Sequence, residues 1–232
     1  MIEPKFFFSH PPIIDGPIFF FSEMENNEYV WNAEDLLLEE PRLTEFFPSD
    51  HYHLGLEVGA GNGRCTAPLS RICDTLVALE SSRKGICQLL SRRLQNIVPV
   101  LSYDLMLPFN SNIFDFVASV TVIEHIPAAN SKAFLEEHFR VLRPGGIFLI
   151  RNDAWAYGVY EKFIGYRGRD ADPSHINMIT PRRLKAQLLD IGFEIISEAY
   201  FPFYRYTKRK LPLFDLFATK GNFICRKPDV IS

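Results

Sequence analysis

The sequence Leu54-Gly-Leu-Glu-Val-Gly-Ala-Gly-Asn-Gly-Arg64 is the most informative segment of the chain. It begins with a short apolar run, residues 54–58, which predicts a buried strand. Glycines then follow at alternate positions, namely Gly59, Gly61 and Gly63. Because glycine has no Cβ and tolerates positive φ, a turn built from it can lie close to a ligand. Residues 65–72 then predict a helix, whose first N–H groups would point toward such a ligand.

The spacing of these glycines separates two kinds of nucleotide cofactor. A dinucleotide-binding turn reads G-x-G-x-x-G, whereas this turn reads G-x-G-x-G and follows an acidic residue, Glu57. The segment resembles motif I of the class I S-adenosylmethionine-dependent methyltransferases. The resemblance implies that Glu57 orients the loop or reaches the amino group of the cofactor through it. The residues that it places beside the methionine part of S-adenosylmethionine are Gly59, Ala60, Gly61 and Gly63.

Two acidic residues further along match the family positions that hold the nucleoside part of the cofactor. Glu80 directly follows a second apolar run, Thr75–Leu79, and lies about 20 residues after the glycines. In nucleotide-binding folds an acidic residue at this distance hydrogen-bonds the hydroxyl groups of the ribose. A carboxylate at that point can accept hydrogen bonds from two vicinal hydroxyls. Asp104 and Leu105 match the family's adenine contact, and Leu107-Pro-Phe109 matches its usual sequel.

A fourth apolar run, residues 114–120, precedes a loop that contains a glutamate and a histidine side by side. Open parallel sheets bind ligands outside the carboxyl ends of their strands, where the strand order reverses. We therefore expect Val120 and Thr121 to contact the cofactor. We expect Glu124 and His125 to face the acceptor of the methyl group.

The remaining pattern completes an α/β chain. Three further helices are predicted. The first covers residues 81–95 and has its basic residues on a solvated face. The second follows Asn130, which caps it, and the third runs from Thr180-Pro181 to Gly192. Further strands are predicted at residues 97–101, 147–150, 193–200 and 222–226. Val141–Ile147 again resembles the family, so four motifs occur in the family's order over about residues 50–200. The resemblance is to the subgroup of ubiquinone and menaquinone methyltransferases, and it implies an α/β, Rossmann-like, seven-stranded and mostly parallel sheet with helices on both faces and an antiparallel last strand.

The N-terminal residues 1–48 differ from the methyltransferase domain expected over residues 49–232. Their six prolines exclude long helices and central strands, although one short helix is predicted over residues 33–40. We expect the segment to pack on the main domain as a cap. Two alternatives stay open: the cap covers the ligand pocket, with Tyr29 and Trp31 reaching it, or it makes no ligand contact.

The composition excludes several classes of protein. The 232 residues carry a formal net charge of −3, which is not the footprint of a nucleic-acid-binding domain. The four cysteines form no C-x-x-C pair and no metal-ligand spacing, so reduced thiols in a cytoplasmic protein are expected. The first residues do not resemble a signal peptide, and no apolar run approaches the ~20 residues of a membrane span.

His125 and His175 are the candidate catalytic residues. Methyl transfer from a sulfonium needs mainly alignment, and a hydroxyl acceptor also benefits from a base that titrates near neutral pH. Each histidine can equally serve as a structural hydrogen-bonding residue. Some related O-methyltransferases bind a divalent metal through E-x-x-E-H. Here Thr121 replaces the first carboxylate of that pattern, so we expect no tightly bound metal.

The sequence thus predicts an S-adenosylmethionine-dependent methyltransferase with a small-molecule acceptor. Residues 151–179 and 200–210 mix aromatic and basic side chains, which suits an anionic or ring-containing acceptor. Alternatives are an RNA acceptor, for which the basic residues within 205–210 are the main indication, and a non-catalytic scaffold that keeps the cofactor site. An NAD-dependent oxidoreductase is disfavoured by the glycine spacing.

Overall fold

A computed structural model describes residues 43–154, 174–201 and 220–229. In this part of the chain one sheet contains all seven strands. They are β1 (Tyr52–Val58), β2 (Cys73–Glu80), β3 (Ile97–Leu101), β4 (Phe114–Val120), β5 (Leu142–Asp153), β6 (Glu194–Phe201) and β7 (Lys220–Arg226). The helices are α1 (Thr66–Ser70), α2 (Arg83–Ser91), α3 (Ser131–Val141) and α4 (Pro181–Ile191). Short 3-10 turns occur at Thr44–Phe46, Ile123–His125 and Ala128–Asn130.

The strand order is β3-β2-β1-β4-β5-β7-β6. Strands β2 and β3 are added on one side of β1, and β4 and the later strands on the other, so the strand order reverses between β1 and β4. Strands β1 to β5 pair in parallel, whereas β7 lies antiparallel between β5 and β6. The predicted fold class is therefore confirmed, including the antiparallel last strand. The glycine loop leaves β1 and the Thr121 turn leaves β4, so both lie at the point where ligands bind in such sheets.

Alternating strand residues bury an apolar layer on each face of the sheet. On one face α3 and α4 pack against the strands through Phe134, Leu135, Leu184 and Leu188. On the other face the packing residues outside the sheet include Leu43, Phe47 and Leu69.

Phe116 lies at the centre of this second layer, edge-to-face with Phe47 and Tyr52. Its ring also occupies the place where a Cβ on Gly55 would stand, which requires glycine there.

The helix ends follow local chemistry, with two differences from the prediction. Thr180 caps α4 by accepting from the Arg183 N–H at 3.3 Å, and Gly192 ends it with φ of 106°, both as predicted. Asn130 occupies the N-cap position of α3 as predicted, but its side chain makes no capping hydrogen bond and the residue also closes a 3-10 turn. Helix α2 is shorter than predicted because Arg93 adopts φ of 54° and stops it.

The predicted N-terminal cap lies mostly outside the described residues. This holds for the helix predicted over residues 33–40 and for Tyr29 and Trp31, so their roles stay predictions. The described end of that segment, at Leu43 and Phe47, is buried in the second apolar layer. Among the helices described, none has the length and apolar character that crossing a bilayer requires.

Candidate functional site

The glycine loop adopts one defined conformation after β1. Gly59, Gly61 and Gly63 have φ values of 81°, 53° and 86°, all in the left-handed region that only glycine adopts without strain. The N–H groups of Gly59 and Ala60 donate to the Leu79 carbonyl at 2.8 and 3.0 Å. The Gly63 N–H donates to the Ala60 carbonyl at 2.9 Å. The loop is therefore ordered by its own backbone and by the end of β2.

The three glycines differ in what surrounds them. A Cβ on Gly59 would collide with Val122, and a Cβ on Gly63 would lie 2.7 Å from Arg92 Cδ and 2.8 Å from Leu89 Cδ1. A Cβ on Gly61 would meet no atom within 4 Å. The loop is thus packed against protein at both ends and open at its centre. That the methionine part of a cofactor lies on this open side stays a prediction.

Glu57 supports the loop from behind. The carboxyl group is buried, and its Oε2 accepts a hydrogen bond from Thr66 Oγ1 at 2.5 Å, which ties β1 to the first residue of α1. Burial raises the pKa of Glu57 to about 7, against the lowering effect of the Thr66 hydrogen bond. Glu57 therefore orients the loop, and it changes ionisation near neutral pH.

Glu80 joins the loop to the next helix. Its Oε2 accepts from the Gly61 N–H at 2.7 Å and its Oε1 accepts from the Ser82 N–H at 2.8 Å. The Ser81 hydroxyl also donates to Oε1, at 3.4 Å. A carboxylate oxygen has two lone-pair directions, so Oε2 keeps one for a further donor. The side chain lies beside the open part of the loop, and this arrangement fits the ribose contact predicted for Glu80.

The segment predicted to contact adenine is held by two residues of α3 that no sequence motif singled out. Asp104 is exposed, and its Oδ1 accepts from the Met106 N–H at 3.0 Å, while Leu105 is half-buried. Arg140 donates to the carbonyls of Leu107 and Phe109 at 2.9 and 2.7 Å. Glu137 accepts from the Leu107 N–H at 2.8 Å and pairs with Arg140. The i,i+3 spacing of these two charges on α3 was the available signal.

The turn after β4 is strained and touches the glycine loop. Thr121 has φ of 55°, which is an outlier for a β-branched residue. Its N–H donates to the Arg151 carbonyl at 2.8 Å, and the next side chain, Val122, fills the space at Gly59. Val120 is buried in the second apolar layer. Strain of this kind concentrates at ligand sites; the cofactor contacts of Thr121 and Val120 stay predictions.

The two candidate catalytic histidines lie together although 50 residues separate them in sequence. The rings of His125 and His175 have centroids 4.9 Å apart. His125 Nδ1 lies 3.2 Å from the carbonyl oxygen and 3.0 Å from the hydroxyl of Ser174. Glu124, His125 and His175 bring one ligand atom each within 4.8 Å of one another, a set that can hold a metal ion. The prediction that no metal binds tightly stays a prediction.

Glu124 is the buried acid of this group. Its Oε1 accepts from the Asp153 N–H at 3.2 Å, and its Oε2 has no hydrogen-bond partner in the described part of the chain. Burial and the nearby Asp153 raise the pKa of Glu124 to about 8. Asp153 in turn pairs with Lys220 at 2.7 Å. No sequence pattern indicated this network, because β7 brings Lys220 to the end of β5 from 67 residues away.

Known proteins resemble this chain over the same region. A family described as a methyltransferase domain matches residues 56–150. A ubiquinone biosynthesis O-methyltransferase from Paramagnetospirillum magneticum is 28% identical over 158 residues, which are 64% of this chain and 62% of that protein. The chain thus spans less than two thirds of that relative's length.

Solved structures share the fold at low identity. The YcgJ protein from Bacillus subtilis has a TM-score of 0.59 at 16% identity, over 78% of this chain and 94% of its own. The [4+2]-cyclase SpnF has a TM-score of 0.60 at 17% identity, over 80% and 79%. The fold alone therefore does not define the reaction. The glycine loop, the two acids beside it and the matched domain together support a class I S-adenosylmethionine-dependent methyltransferase with S-adenosylmethionine as its cofactor.

Proposed function

We propose that this protein transfers a methyl group from S-adenosylmethionine to an oxygen or nitrogen atom of a small-molecule acceptor, by direct in-line displacement. One observation carries the proposal. The open centre of the glycine loop at Gly61 follows β1, and His125, with the His175 ring beside it, follows β4; these two strands are neighbours and parallel. A donor site and an acceptor site therefore share one edge of the sheet.

The residues of the donor site have separate roles. The loop backbone at Gly61 receives the methionine part, Glu80 accepts hydrogen bonds from the ribose, and Asp104 with the Leu105 N–H contacts the adenine. When bound, S-adenosylmethionine supplies an activated methyl group on a sulfonium. The protein then has mainly to align the two reactants, which is the largest effect available to it for this reaction.

His125 is the base that we propose for a hydroxyl acceptor. We assign the hydrogen of the neutral ring to Nδ1, because the Ser174 carbonyl at 3.2 Å can only accept, whereas the Ser174 hydroxyl at 3.0 Å can accept as well as donate. The lone pair of the neutral ring is then on Nε2. As the methyl group is transferred, the acceptor hydroxyl gives its proton to Nε2 of His125. His175 lies beside this ring and completes the acceptor side.

Oxygen is the acceptor atom that we favour, because the curated relative is named an O-methyltransferase. The free state of all four cysteines supports a reducing compartment, and we place the protein in the cytoplasm. An RNA acceptor is the second candidate, favoured by the basic residues within 205–210, a range that lies outside the described residues. RNA binding would weaken steeply with salt, because neutralised phosphates release counterions.

The first experiment is calorimetric titration with S-adenosylmethionine, its demethylated product and NAD. We expect the first two to bind and NAD not to bind. Gly61→Arg fills the open centre of the loop and should abolish binding, and Asp104→Ala should weaken it about ten-fold. Gly192→Arg is the matched control, since it also places an arginine side chain on a glycine with positive φ, but at the end of α4. Unchanged affinity in both site variants would refute the placement of the cofactor.

A second experiment addresses the acceptor. Methyl transfer is measured with a panel of phenols related to quinols, sugars and small RNAs, each at two salt concentrations. We expect a phenolic acceptor to be methylated and His125→Gln to lower the rate about 100-fold. Cofactor binding without methylation of any acceptor would favour the scaffold hypothesis instead.

A further inference from the structure

One side chain of α2 reaches back to the glycine loop. Arg92, the residue that follows α2, donates from Nε to the Asn62 carbonyl oxygen at 2.6 Å. The other end of α2 is attached to the same loop, because Glu80 accepts from both the Ser82 N–H and the Gly61 N–H. The two ends of α2 therefore hold the loop at two adjacent residues, Gly61 through Glu80 and Asn62 through Arg92.

The aliphatic part of the same arginine fixes the far end of the loop. A Cβ on Gly63 would lie 2.7 Å from Arg92 Cδ, so the side chain packs directly on the glycine backbone. Leu89, one turn earlier on α2, packs on the same position. The contact is specific to Arg92, since the neighbouring Arg93 is exposed. The predicted solvated face of α2 is thus wrong for Arg92.

A loop with three glycines in five residues has a large conformational entropy when it is unconstrained. Ligands bind more weakly to a loop that they must first order. We propose that Arg92 is a positioning residue for the cofactor: its Nε–H···O bond to Asn62 keeps the glycine loop in the form that receives the methionine part. The identity of the ligand rests on the proposed function, whereas the ordering of the loop does not.

Two substitutions separate the hydrogen bond from the charge. Arg92→Gln places an amide N–H donor at the position of Nε and removes the charge. Arg92→Met has a similar shape and no donor. Arg83→Met, on an exposed position of the same helix, is the matched control. Two quantities are measured: hydrogen exchange of the Gly61 and Gly63 amides in the cofactor-free protein, and the Kd for S-adenosylmethionine.

We expect Arg92→Met to speed exchange of both amides about ten-fold and to raise the Kd about ten-fold, the size of one lost hydrogen bond to a charged group. Arg92→Gln should stay within about three-fold of the wild type, and Arg83→Met should match it. Unchanged exchange in Arg92→Met would overturn the proposal, and so would equal losses in both Arg92 variants. If the wild type does not bind S-adenosylmethionine, the proposed function fails, and amide exchange still decides the role of Arg92.

Discussion

Replacement of Glu57 by glutamine tests whether the fold resists ionisation of this buried carboxyl group. The folded protein raises the pKa of Glu57 from its ordinary 4.5 to about 7, mainly through burial. Between these values the folded state binds more protons than the unfolded state, so the free energy of unfolding falls as pH rises. Glutamine does not titrate, and its carbonyl can still accept from Thr66. The substitution therefore removes this fall.

The magnitude follows from the size of the pKa change. Each pKa unit is worth about 1.4 kcal/mol, so ionised Glu57 costs about 3 kcal/mol of folding free energy above pH 7. From pH 5 to pH 8, the free energy of unfolding of Glu57→Gln should thus rise by about 3 kcal/mol relative to that of the wild type. With a urea m-value of about 2–3 kcal/mol/M, this is about 1 M in the unfolding midpoint.

The assay is urea unfolding of the cofactor-free protein at pH 5, 6, 7 and 8. Other perturbed groups, such as Glu124 and the buried His138 with its pKa of about 4, are common to both proteins and cancel in the difference. Glu136→Gln removes an exposed glutamate and serves as the control. If Glu57→Gln and the wild type show the same dependence on pH, the reasoning about Glu57 is refuted.

Three further predictions address other parts of the site. Arg140→Met should lower the free energy of unfolding by about 2 kcal/mol, because two carbonyls after the segment predicted to contact adenine lose a charged donor. Lys132→Met, the control, breaks an exposed ion pair and should leave Tm unchanged. Equal losses of stability in the two variants would contradict this account. Thr121→Gly should raise the free energy of unfolding by about 0.5–1 kcal/mol, because glycine adopts a φ of 55° without the steric strain of a β-branched side chain. A loss of stability would show that this φ does not strain Thr121. Methyl transfer should continue after treatment with a chelator; a loss that a divalent ion restores would show that Glu124, His125 and His175 hold a metal.

Features that depend on local sequence were predictable. The strands at residues 97–101 and 114–120 have the predicted bounds, because each is a short apolar run that ends at polar or turn residues. The end of α4 follows from Gly192, whose positive φ no other residue adopts as readily. The glycine loop and Glu80 lie in contact, as their spacing in sequence indicates, whereas their contacts with a cofactor stay predictions.

Features that depend on contacts between distant residues were not predictable. Arg92 belongs to a helix with several basic residues, and only the packed structure shows which of them reaches the loop. Asp115 is a similar case, since it looked like an ordinary strand residue. It is buried and accepts from the N–H groups of His53 and Leu54 while it pairs with Arg143. Such networks need the sheet to form before their members meet.

The position of β7 has a consequence for how the chain reaches its final state. Strand β7 lies between β5 and β6 but follows both in sequence. While the ribosome makes the chain, β6 has no neighbour to pair with, and the outer side of β5 exposes its N–H and C=O groups until residues 220–226 emerge. Exposed strand edges invite pairing between chains. Until β7 is inserted, the growing chain therefore carries unpaired strand edges at β5 and β6, which favour pairing with other chains.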